Sequence, residues 1–125
     1  MSKKKRVAIL GSTGSIGTQA LDVIAAHPDR FNVVGLAAGR NVALLHEQGE
    51  RFDPEIATSA ADGPAGLLRV AIETRPDIVL AATDGAVAFD AVLAAIERGT
   101  DVAVANKELI VAAGEVMLEA AARSG

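Results

Sequence analysis

The sequence predicts an α/β protein built on a doubly wound, Rossmann-like parallel sheet with helices on both faces, and three observations carry that prediction. Apolar runs begin near Val7, Val33, Ile56, Ile78 and Val102, spaced by a little over twenty residues, enough for a strand, a helix and two short loops. The runs Val7–Leu10, Val33–Ala38, Ile78–Ala82 and Val102–Ala105 are nearly continuous rather than alternating, as expected of strands covered on both sides. Between the runs, the apolar period lengthens to that of a helix.

The first strand runs into Gly11-Ser12-Thr13-Gly14-Ser15-Ile16-Gly17, a tight turn opening a helix. Ile16, Ala20, Val23 and Ile24 share one face of that helix, and His27-Pro28-Asp29 stops it. After Val33–Ala38, a second helix is marked by Val42, Leu45 and Phe52 and closed by Asp53-Pro54. Glu55-Ile56-Ala57-Thr58 is short and half polar, the pattern of an edge strand. The third helix starts at Asp62-Gly63-Pro64, with proline in the first turn, and carries Leu67, Leu68, Ala71 and Ile72. Phe89, Val92, Leu93 and Ile96 form the clearest stripe, with Gly99 placed to cap it. A last helix carries Ile110, Ala113, Met117 and Ala120, although Gly114 costs it roughly 1 kcal/mol relative to alanine. Residues 1–125 read as one domain, without linker or repeat.

Half of the 125 residues are apolar, yet only three are aromatic, all Phe, so the core is expected to be Val, Ile, Leu and Ala. With no cysteine, disulfides and Cys-based zinc sites are excluded. The net charge of −4 argues against nucleic acid as a partner. Lys3-Lys4-Lys5-Arg6 reads as a solvated start to the first strand rather than a polyanion-binding patch or a leader, because the apolar stretch after it ends at Gly11. No apolar run approaches the ~18 residues of a membrane span. The expectation is a soluble, cytoplasmic protein with no membrane partner.

In a sheet of this kind, ligands bind at the carboxyl ends of the strands, and three strand-end loops carry candidate chemistry. In Gly11–Gly17 the glycines let backbone approach a pyrophosphate, helix N–H groups point at it, and Thr13 and Ser15 add hydroxyl donors. The spacing is G-x-x-G-x-x-G rather than G-x-G-x-x-G, and the alternative is a bare strand–helix connection. In Gly39-Arg40-Asn41 no acid is offered to a ribose 2′-hydroxyl, whereas Arg40 suits the 2′-phosphate of NADP; Asn41 also reads as a helix cap. Asn106-Lys107-Glu108 fits contacts to the nicotinamide half or a substrate phosphate, but a capped helix start explains Asn106 and Glu108 equally. Asp84 reads equally as a cap. His27 and His46 read as structural, the remaining acids as solvated faces, and no nucleophile–base pair or metal cluster is visible.

Taken together, these loops resemble one family, 1-deoxy-D-xylulose 5-phosphate reductoisomerase, an NADPH-dependent enzyme of the non-mevalonate isoprenoid pathway. Gly11–Gly17 is similar to its N-terminal signature, with Leu21-Asp22-Val23 and Phe31-Asn32-Val33-Val34 like the helix and strand that follow. Ala38-Gly39-Arg40-Asn41 resembles its second motif and Ala105-Asn106-Lys107-Glu108 its third, so the likeness spans nearly the whole chain. The resemblance implies that Thr13, Gly14, Ser15 and Ile16 hold the NADPH pyrophosphate region. It assigns Gly39, Arg40 and Asn41 to the adenosine side, Asn106 and Glu108 to NADPH, and Lys107 to the sugar-phosphate substrate. For the full-length enzyme it implies isomerisation and reduction of deoxyxylulose phosphate to methylerythritol phosphate, a divalent metal (Mg or Mn) held by downstream acids, and a homodimer.

Two departures stand out. The chain ends at Arg123-Ser124-Gly125, before the family's Asp-Ser-Glu metal motif, and is expected not to turn over alone. The stretch from Ile56 to Ile78 is shorter than in the family by about one βα unit, which bears on the adenine side of the pocket. The rival readings are a stand-alone NADP-binding module without catalysis, a shortened fold without useful affinity, and the cofactor domain of another NADP-dependent oxidoreductase.

Overall fold

The computed structural model describes residues 4–83 and 87–105. Its five strands are β1 (Lys5–Leu10), β2 (Phe31–Ala37), β3 (Ile56–Thr58), β4 (Ile78–Ala81) and β5 (Asp101–Val104). They form one sheet in the order β3-β2-β1-β4-β5, every pair parallel. The helices are α1 (Ser15–Ala25), α2 (Val42–Phe52), α3 (Gly63–Ile72) and α4 (Phe89–Glu97), with one 3-10 turn at Ala60–Asp62. This is the doubly wound arrangement, and the chain order reverses between β1 and β4. The last helix, Asp84 and the Asn106-Lys107-Glu108 loop lie outside the described residues.

Alternation along β1 sorts its side chains into two cores. Val7 and Ile9 pack with Leu21 and Ile24 of α1 and Leu45 of α2, whereas Ala8 and Leu10 pack with Val70 of α3 and Val92 and Ala95 of α4. The second face is lined by small residues, including Ala8, Ala37 and Ala81. Gly35 of β2 belongs to the same approach: a Cβ there would lie 2.8 Å from Val70 Cγ1. The scarcity of aromatic residues is thus matched by helices that ride close to the sheet.

Three apolar stripes differ from the sequence reading. On α1 the buried residues are Gly17, Leu21 and Ile24, while Ile16 and Val23 are exposed. The helix is phased by Gly17, whose hydrogen side chain meets the turn backbone, and this rotates Ile16 outward. On α2, Val42 is exposed and the buried stripe is Leu45 and Gln48. On α3, Leu68 is exposed and Val70 takes the inward place beside Ala71. Gly99, at φ +80°, follows α4 in the left-handed conformation expected of a cap.

The basic start of the chain is more than a solvated lead-in. Arg6 donates from Nη2 to Glu55 Oε2 at 2.7 Å and to the Thr74 carbonyl, and from Nε to the Arg75 carbonyl at 3.2 Å. Its backbone N–H donates to Asp77 Oδ2 at 2.8 Å. One guanidinium therefore joins the entry to β3 with the entry to β4, and Glu55 and Asp77 are structural partners rather than free acids. Arg6→Ala is expected to lower the unfolding free energy by about 1–2 kcal/mol, because carbonyl bonds add to a partly exposed ion pair that is worth little alone. Glu55→Gln should cost less than half of that in urea denaturation; equal losses would mean that the carbonyl bonds contribute nothing.

Candidate functional site

The carboxyl ends of the strands are tied to one another by main chain. Gly11 and Ser12 N–H both donate to the Ala37 carbonyl, at 2.7 and 3.0 Å. Ala38 N–H donates to Thr58 O at 2.8 Å, and Ala82 N–H to Leu10 O at 2.8 Å. Above this floor opens a cleft of about 970 Å³.

The turn after β1 forms one wall. Gly11 has φ +91°, and a Cβ on it would lie 2.7 Å from the Ala82 carbonyl carbon and oxygen, so only glycine lets the turn sit against the end of β4. Gly17 is tighter still, with an added Cβ 2.1 Å from the Gly11 carbonyl oxygen. Gly14 is different. It is the N-cap of α1 in extended conformation (φ −80°, ψ 177°) and makes no side-chain cap bond. A Cβ there would find its nearest neighbour, Gly11 O, at 3.7 Å. Thr18 N–H donates to the N-cap carbonyl, Gly14 O, at 2.9 Å, so the preceding first-turn N–H groups have no helical acceptor. An open glycine before uncapped donors is a geometry suited to an anionic group.

The second wall is the start of α2. Asn41 caps it, its Oδ1 accepting from Leu44 N–H at 3.1 Å, as the sequence suggested. Arg40 is exposed beside it, forms no ion pair among the described residues, and is the one charged residue among the described residues lining the cleft. Thr13, Gly14, Ser15, Ile16, Gly39, Arg40 and Asn41 thus all line a single cleft, and the exposed Ile16 supplies it with an apolar contact. Asn106, Lys107 and Glu108 lie outside the described residues.

The third wall was not foreseen. Ser59, Ala60, Gly63, Pro64 and Leu67 line the cleft opposite the glycine turn. Ser59 and Asp62 form a reciprocal capping box, with Ser59 N–H to Asp62 Oδ2 at 2.9 Å and Ala61 N–H to Ser59 Oγ at 3.3 Å. Ala60 N–H reaches back to the Gly39 carbonyl at 2.9 Å. The Ser-x-x-Asp spacing was the available signal. The short segment between β3 and β4 therefore builds the wall on the Arg40 side, and the sheet is continuous from β3 to β5.

Neither histidine lines the cleft, but His46 does have a partner one helical turn away: its Nε2 lies 3.2 Å from Glu50 Oε1 on the exposed face of α2. Among the described residues no group of three His, Cys, Asp or Glu side chains is placed to hold a metal, and no helix is long and apolar enough to cross a membrane.

Fold and cleft define the class: a Rossmann-like domain of the dinucleotide-binding type. A family profile described as 1-deoxy-D-xylulose 5-phosphate reductoisomerase matches residues 7–62 and 55–114. A protein of that name from Symbiobacterium thermophilum is 47% identical over 145 residues, covering 98% of this chain and 38% of the relative. One from Leifsonia xyli subsp. xyli is 49% identical over 119 residues, covering 94% of this chain and 32% of the relative. A crystal structure of DOX-P reductoisomerase in complex with NADPH, fosmidomycin and magnesium superposes with a TM-score of 0.90 at 30% identity, over 97% of this chain and 35% of that one. This chain belongs to the 1-deoxy-D-xylulose 5-phosphate reductoisomerase family. It spans about a third of the length of the relatives it matches.

Over the matched span the chain is shorter than some of its relatives and not than others. The Symbiobacterium alignment is longer than the chain, 145 positions against 125 residues, so at least 20 of its positions face a gap. The Leifsonia alignment covers 94% of the chain in 119 positions and runs almost without gaps. The two profile matches overlap at residues 55–62, the segment of β3 and the capping box.

Proposed function

We propose that residues 1–125 are the NADPH-binding domain of a 1-deoxy-D-xylulose 5-phosphate reductoisomerase. The observation that carries the reading is the meeting of the uncapped α1 N-terminus and Arg40 in one cleft whose described lining holds no carboxylate. Thr13, Gly14, Ser15 and Ile16 hold the pyrophosphate through backbone N–H groups and the two hydroxyls. Gly39, Arg40 and Asn41 hold the adenosine end, with Arg40 forked onto the 2′-phosphate. The Ser59–Leu67 segment flanks that end. Asn106 and Glu108 toward NADPH, and Lys107 toward the sugar phosphate, are assigned from the motif alone.

When bound, NADPH supplies the hydride that reduces the isomerised aldehyde to methylerythritol phosphate. This chain's part is to orient the cofactor over the strand ends and shield it from water. Among the described residues no set of His, Asp or Glu side chains would hold a metal, so on this reading a divalent cation in the full-length enzyme would be held by residues outside them. The same reading takes the whole protein as a cytoplasmic homodimer acting on a small sugar phosphate, and the net charge of −4 speaks against nucleic acid as a partner.

Titration of the chain with NADPH and NADH tests the reading, and with no Trp or Tyr in the sequence the cofactor's own fluorescence can be followed cleanly. NADPH should bind at least about tenfold more tightly, the worth of one charge-assisted contact. Equal affinities would refute the assignment of the adenosine end.

A further inference from the structure

We propose that Gln48 is a positioning residue for the cofactor: it fixes the Ser12–Thr13 peptide of the glycine turn, so that the Thr13 N–H joins the first-turn N–H groups of α1 in facing the pyrophosphate. The proposal rests on the NADPH reading above. Gln48 lies on α2, the helix that Arg40 and Asn41 introduce, and is only 5% exposed. Its Nε2 donates to the Ser12 carbonyl oxygen at 2.8 Å, and Ser12 is itself fully buried. Across a planar trans peptide the carbonyl and the following N–H project in opposite directions. No cis peptide occurs among the described residues. Drawing the Ser12 oxygen toward α2 therefore turns the Thr13 N–H away from α2, and Thr13 lines the cleft.

A stability role alone does not account for glutamine here. Leu45 and Gln48 share the buried stripe of α2, where a leucine or methionine would pack without burying an amide. Gln48 Oε1 and Ser12 Oγ are both buried with no hydrogen-bond partner among the described residues, so the arrangement carries a desolvation penalty. Polar groups kept in a core at such a cost cluster at functional sites. The helix that begins beside the 2′-phosphate cation thus also sets the turn that receives the pyrophosphate, a strut between the two phosphate positions.

Adenosine 2′-monophosphate separates this role from simple loss of structure, because it carries the 2′-phosphate and no pyrophosphate. In NMR titrations of the 125-residue chain, Gln48→Met should weaken NADPH about tenfold and leave adenosine 2′-monophosphate within about twofold. In the unsubstituted chain the Thr13 amide proton should move downfield with NADPH and stay in place with adenosine 2′-monophosphate; this decides the matter even if Gln48→Met does not fold. Equal weakening of both probes, unchanged NADPH affinity, or a Thr13 amide indifferent to NADPH would each overturn the role of Gln48. An unsubstituted chain that binds neither probe would instead refute the cofactor reading, and the proposal with it.

Discussion

Arg40→Ala is expected to weaken NADPH binding about 10- to 100-fold while leaving NADH within about twofold. The magnitude follows from a guanidinium forked onto a 2′-phosphate, each charge-assisted bond contributing roughly 1.5–3 kcal/mol at its best. Two features put the whole discrimination on this residue. No other charged side chain lines the cleft among the described residues, and no described carboxylate competes for the guanidinium. The α2 N-terminus adds a modest positive field at the same point, unopposed because its first turn holds no acid. Arg40→Lys should fall between, keeping the charge and losing the fork. Since Arg40 is exposed, the NADPH preference should also shrink as salt rises from about 0.05 to 0.5 M. Fluorescence titrations at fixed ionic strength measure all of this, and an unaltered preference in Arg40→Ala would place 2′-phosphate recognition elsewhere.

The second large effect is on stability, and it separates two glycines that look alike in the sequence. Gly17→Ala should destabilise the chain by about 3 kcal/mol and lower its melting temperature by roughly 10–20 °C. Its Cβ would lie 2.1 Å from Gly11 O and 2.8 Å from Ser12 Cα, and since both neighbours are backbone, only a shift of α1 or of the turn relieves the overlap. Gly14→Ala should do the reverse. Its backbone is one that any residue adopts, and its new methyl meets nothing closer than 3.7 Å, so the melting temperature should stay within a few degrees. The methyl would occupy the space through which a phosphate reaches the uncapped N–H groups, and NADPH affinity should drop about tenfold. Calorimetry paired with titration tests the contrast; a Gly14→Ala chain that binds normally would mean that the pyrophosphate does not approach there.

The strand pattern was legible because parallel strands buried on both faces must be apolar throughout, and Val7–Leu10 and Val33–Ala38 have no other use for such runs. Helix phase was harder to read. Ile16 and Val23 carry large apolar side chains and still point outward, because the phase of α1 is set by Gly17, a residue without a side chain to weigh. Polarity hid the others: Gln48 sits in a stripe that hydrophobicity alone leaves blank, and Arg6 passes for one more charge in a basic run until Glu55 and the Thr74 and Arg75 carbonyls are seen around it. The site loops announced themselves by composition, glycines before a helix and an arginine where NAD-specific domains place an acid. The wall from Ser59 to Leu67 did not, since its Ser-x-x-Asp spacing marks a capped helical turn and carries nothing that marks a ligand wall.

That wall is fastened by one peptide bond pair, Ala60 N–H to the Gly39 carbonyl, and by the Ser59 and Asp62 side chains, which each accept from a main-chain N–H of the turn. The width of the slot beside Arg40 is consequently governed by how many residues the connection holds and by Ser59 and Asp62 at its two ends, and hardly by the residues between them. Alanines 60 and 61 are free to drift in evolution as long as the count is kept, whereas adding or removing a single residue would re-gauge the opening that the adenosine must enter.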